Sequence, residues 1–314
     1  MTAYLWGGLI VLISAVSAII VPFITYFTTL TTFGIAHVAI ELRYIDSRFH
    51  PRLGRKMEAQ LVKLLIVIAL LRCCVIWGWM EIGIAQILEL GCGVGLVLVA
   101  THHLQHHNQR LATIGMVVGC LLSLGIVIDP IATSITFAII HNLTPAGFIL
   151  ERQQSSDVRR TLWMCVSIFG LIPLVIVVYQ LFPIVHLPYI DSNTSYLSAF
   201  IAPAWQQSTI AYPLFSAVTF LQCMHYAVVI GLFAKWTPDH GVAGSPESFT
   251  LLPWVPSKYF YWGLGAISVC FLIAFQHSFG LTRSLYGIVA SIHAWLEIPL
   301  LLWLAHEWNN KPQV

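Results

Sequence analysis

Four histidines sit in stretches otherwise too apolar to tolerate them: His37, His141, His225 and His293. Neutral imidazole is the commonest protein ligand for iron, copper or zinc. Two of the four carry a glutamate one helical turn later, His37 with Glu41 and His293 with Glu297. At that spacing both side chains share one face of a helix. Glu297 is then a ligand, a catalytic carboxylate beside the ion, or an acceptor that fixes a histidine tautomer. Glu41 has competitors, because Arg43 and Arg48 follow it closely. Any one of these histidines alone reads as a hydrogen-bonded core residue. Ionisable groups inside a bilayer are costly and mark sites, and four on separate segments read as one ligand set. The expected metal ligands are His37, His141, His225 and His293, with Glu297 as the catalytic group.

Other polar groups lie in apolar surroundings. Arg72 and Glu89 fall at similar distances on either side of a turn expected near Glu81, so an ion pair between antiparallel neighbours is expected. Gly91 and Gly95 follow at a spacing that permits close helix packing. Asn142, Thr144 and Pro145 follow His141. Gln222 and Tyr226 flank His225, and Tyr286, Ser291 and Trp295 surround His293. Residues 101–110 contain His102, His103, His106 and His107, similar to the histidine boxes of membrane fatty-acid desaturases. That chemistry needs three such boxes converging on two irons, and only one occurs, so a solvated polar turn is the simpler expectation. No role is assigned to His50, His186, His240 or His306.

The elements that must position these groups are membrane helices. Of 314 residues, 58% are hydrophobic and 9% charged, and the mean hydropathy is +0.82. A soluble domain carries about 25% charged residues. The expected class is all-α, a polytopic helical bundle of eight or nine transmembrane helices in a single domain over residues 1–314. Spans are expected at 15–42, 61–80, 82–101, 111–128, 131–150, 161–181, 211–234, 259–276 and 285–306. The first is too long for one upright helix of about 20 residues. Pro22 and the threonine-rich stretch 25–32 predict a break or kink there. No small-residue cleavage site follows the first apolar run, which speaks against a removed signal peptide. The seven cysteines fall within spans and show no C-x-x-C spacing, so they read as buried apolar residues.

Basic residues set the expected orientation. Thirteen of the fifteen, from Arg43 through Lys63, Arg110, Arg152 and Lys235 to Lys311, fall on one side, and segment 182–210 has none. By the positive-inside rule the N-terminus is outside and the C-terminus cytoplasmic. Segment 182–210, with Tyr189, Tyr196 and Trp205, reads as an interfacial aromatic belt, or as a lid or lateral entrance for a lipid-like molecule. A net charge of +2 is too small to imply nucleic acid. The expected partners are the bilayer and an apolar small molecule.

Three short motifs resemble the Brp/Blh family of membrane β-carotene 15,15′-dioxygenases. Gly34-Ile-Ala-His37 resembles that family's early Gly-x-Pro-His motif, His141-Asn142 its mid-chain histidine, and Gln222-Cys-Met-His225 its later segment. Ala36 stands where the family has proline, no aspartate follows His37 at the family's place, and the later paired histidines are single here. His293 would then supply the remaining ligand. The resemblance implies one nonhaem iron held by histidines and oxidative cleavage of a carotenoid or another isoprenoid. The competing readings are a b-type haem protein in electron transfer, a proton-coupled transporter using His293, Glu297, Arg72 and Glu89, and a purely structural membrane protein.

Overall fold

A computed structural model of the chain describes residues 2–152, 158–182, 194–237 and 254–309. Among these residues the structure is all-α, with no strand. In chain order the helices are α1 (Thr2–Ile20), α2 (Pro22–Leu53), α3 (Arg55–Ile76), α4 (Ile82–Gln105), α5 (Gln109–Ile128), α6 (Pro130–His141) and α7 (Thr144–Arg152). There follow α8 (Val158–Val166), α9 (Ile172–Leu181), α10 (Ala211–Val228), α11 (Ala234–Trp236), α12 (Ser257–His277) and α13 (Phe279–Asn309). Single π-helical turns, Ser167–Leu171 and Val229–Phe233, splice α8 to α9 and α10 to α11. Nine helical stretches among the described residues are long and apolar enough to cross a membrane: α2, α3, α4, α5, α6 with α7, α8 with α9, α10 with α11, α12 and α13.

The long first run divides at Val21. Pro22 opens α2, where its missing N–H costs nothing because the first turn of a helix has no partner for it. α2 continues well past the apolar stretch to Leu53, because Tyr44, Ile45 and Phe49 keep one face buried through the basic segment. Gly54 ends it with φ of 72°, a left-handed conformation that only glycine adopts without strain, and α3 starts at the next residue.

The helices group into two compact units, Met1–Leu30 with Ile135–Val228, and Thr31–Ser134 with Val229–Val314. In the first unit α10 packs against α1, α7 and α9. Its core includes Ala18, Phe169, Ile176, Phe220 and Met224. Of segment 182–210, residues 183–193, with His186 and Tyr189, lie outside the described residues, as do His240 and Lys311. The rest of the segment forms two 3₁₀ turns, Thr194–Ala199 and Pro203–Trp205. Tyr196 and Phe200 pack against the start of α2: the Tyr196 ring lies 5.8 Å from Tyr26 and 6.1 Å from Phe27, and Phe200 lies 5.4 Å from Tyr26. Phe200 is a core residue of the unit and Tyr196 is half-buried, whereas Trp205 is exposed.

In the second unit α13 packs against α3, α4, α5 and α12. The outer faces carry exposed Leu70 on α3, Leu88 on α4, Leu121 and Leu124 on α5 and Ile273 on α12. A face of that kind is stable against lipid chains and not against water. The expected Arg72–Glu89 pair is present, at 2.8 Å. Glu89 also accepts the indole N–H of Trp295 on α13 at 3.0 Å. The Trp295 ring packs against Gly93, where a β-carbon would overlap it. Gly95 meets Leu64 of α3, while Gly91, expected to share in close packing, faces open space. The close approach therefore uses Gly93 and Gly95, because Trp295 approaches α4 on the face that Gly93 occupies.

Candidate metal centre

α10 is the element best suited to carry a polar group without exposing it. Every residue from Phe215 to Tyr226 is buried, so His225 is shielded on all sides of the helix. Gln222, one turn earlier, donates to Thr29 Oγ1 at 2.9 Å, which ties α10 to the start of α2. The π turn Val229–Phe233 begins four residues after His225. Such turns insert one extra residue and re-aim side chains, and they concentrate at functional positions.

His141 is the last residue of α6, and the span is interrupted there. Asn142 Nδ2 donates to the carbonyl of Ala138 at 2.8 Å, and Thr144 Oγ1 donates to the carbonyl of His141 at 2.6 Å. Pro145, in the first turn of α7, has no N–H to continue the α6 ladder. The interruption is tolerable in apolar surroundings because side chains satisfy the carbonyls it releases. In this first unit the rings of His141 and His225 lie 4.6 Å apart, with donor nitrogens within 4.8 Å of one another.

In the second unit α2 carries His37 and Glu41, and α13 carries His293 and Glu297. The rings of His37 and His293 lie 5.1 Å apart. Donor atoms of Glu41, His293 and Glu297 lie within 4.8 Å of one another, as do those of His37 and His293. His37 and His293 are 1% exposed, Glu41 and Glu297 0%. His293 Nδ1 lies 3.4 Å from the carbonyl of Val289, one turn back, which leaves Nε2 as its ligand atom. Pro299 interrupts the α13 ladder just after Glu297. This buried His/Glu group could hold a metal ion: its donors are of the types, and at the separations, that a divalent cation requires.

Within each unit two of the expected ligands meet: His141 with His225 in the first, and His37 with His293 in the second. Glu297 stands beside His293 as the i, i+4 spacing implies, and Glu41 stands there equally. Of the two competitors foreseen for Glu41, Arg43 donates to Ser257 at 3.1 Å and lies 4.4 Å from the Phe260 ring centroid. Two positions from Glu41, Arg43 is on the other side of α2, which sequence proximity conceals. Trp295 was not singled out as a bridge between α13 and Glu89; its place midway between His293 and Glu297 was the available signal. The surface histidines stand apart, with His102 6.0 Å from His106 and His107 5.5 Å from His306, ring to ring. No group of three close metal donors occurs there among the described residues.

No family model, curated protein or solved structure matches this chain.

Proposed function

We propose that His37, His141, His225 and His293 are ligands of nonhaem ferrous iron, and that the protein is a membrane oxygenase acting on a long apolar substrate, a carotenoid or another isoprenoid. The observation that carries this reading is the meeting of imidazoles from separate apolar helices, His37 with His293 and His141 with His225. Bound iron would supply dioxygen activation. Four neutral imidazoles would leave the site positive and two coordination positions open. Glu297, buried beside His293, is placed to hold a proton or to accept one from a ligand imidazole. The apolar helices would keep water from the site and dissolve the substrate beside it. The Brp/Blh-like motifs at His37, His141 and His225 favour a carotenoid within this class.

Ring separations of 4.6 Å and 5.1 Å suit neighbouring ligands of one ion. Axial ligands of haem b would need the porphyrin between their rings, so neither pair favours that alternative. Engagement of Glu89 by both Arg72 and Trp295 likewise supports a structural role for that pair over a proton relay. The basic residues support an N-terminus outside and a C-terminus in the cytoplasm.

The test is elemental analysis and an absorption spectrum of the purified full-length protein, followed by assay with β-carotene in detergent. Expected are at least one iron per chain, no Soret band, and loss of iron and cleavage in His141→Ala and His225→Ala. Absence of any transition metal, or full activity in both variants, would overturn the proposal.

A further inference from the structure

We infer that Glu41, His293 and Glu297 form a second cation position, so that the protein holds two divalent ions. The inference rests on the preceding proposal for the first ion and extends it to the carboxylates. Geometry supplies the first argument: three donors from two helices of one unit converge within 4.8 Å. Charge supplies the second. Two carboxylates this close, each 0% exposed, repel one another strongly when both are ionised. A divalent cation between them turns that repulsion into attraction and removes the cost of burying either charge.

Donor chemistry supplies the third argument. Carboxylate oxygen with imidazole suits Fe²⁺, Mn²⁺ or Zn²⁺, whereas a copper(I) site would use thiolate or thioether sulfur. His293 would then be a ligand of this position in place of the first. The second ion would have three protein ligands, Glu41, His293 and Glu297, all within one unit, with positions left open for water or dioxygen. Helical bundles hold paired metals in this manner, with glutamates and histidines projecting inward from facing helices. Glu41 is accordingly a ligand of equal standing with Glu297.

The experiment uses full-length protein in detergent with His102, His103, His106, His107 and His306 replaced by alanine, so that surface imidazoles take up no metal. After chelator treatment it is titrated anaerobically with Fe²⁺, and bound iron is counted after gel filtration. Two irons per chain are expected, falling to one when Glu41→Gln and Glu297→Gln are combined. One iron per chain in the parent overturns the second position and leaves the first standing. None overturns both, and two irons retained in the carboxamide variant overturns the assignment of ligands. Because that variant can fail to fold, parallel-mode EPR of the loaded parent gives an independent reading. A spin-coupled signal is expected, and spectra of isolated ions at full loading would overturn the inference.

Discussion

Glu89 accepts from a guanidinium on α3 and an indole on α13, so one carboxylate joins three helices. Removing it strands a positive charge and an N–H together. Glu89→Leu should cost about 1–3 kcal/mol of stability, the usual result of leaving hydrogen-bond donors without their acceptor. Removing Arg72 as well should restore part of that, because both charges are then gone. Thermal unfolding in detergent of Glu89→Leu, Arg72→Leu and the double variant checks this. A double variant less stable than the worse single one would show that the pair is not the coupling element. The ion pair was legible in the sequence because opposite charges lay at matched distances from a turn. The share of Trp295 was not, since an indole in an apolar helix carries no sign of where its N–H points. The histidines were legible for the opposite reason: their segments are otherwise apolar and hold few other ionisable groups, Glu41 and Glu297 among them.

At the scale of helices, interruptions and close contacts decide where the donors point. The break at Pro22 could be read from composition, and so could nine apolar stretches. The two π turns could not, because they arise from how a helix packs and not from a residue type. The extension of α2 to Leu53 was also hidden: its charged residues resemble a loop, while its buried face is spread over Tyr44, Ile45 and Phe49. The α4 glycines give a controlled comparison. Gly93→Ala pushes against the Trp295 ring and should cost about 1–3 kcal/mol, the usual price of overpacking. It should also lower the bound metal, since Trp295 lies between His293 and Glu297. Gly91→Ala meets nothing and should be neutral or slightly stabilising, as alanine favours a helix. Unfolding midpoints and metal content of the two variants check the contrast, and equal behaviour would sever the proposed link between α4 packing and the site.

For the molecule as a whole, the proposed orientation follows from where the cationic residues fall. It places the Trp77–Glu81 turn outside and the α4–α5 connection, with Arg110, in the cytoplasm. In a cysteine-free background, a cysteine replacing Trp79 should react with an impermeant maleimide in right-side-out vesicles. One replacing His107 should react only after the membrane is opened; the reverse pattern would invert the topology. Distribution of the donors along the chain has its own consequence for biosynthesis. α2, with His37 and Glu41, is made well before α13, with His293 and Glu297. A ligand set drawn from both could not be complete until α13 has left the ribosome. In the proposed metalloprotein, loading would therefore wait for that helix, and a product truncated before α13 would lack half of those donors.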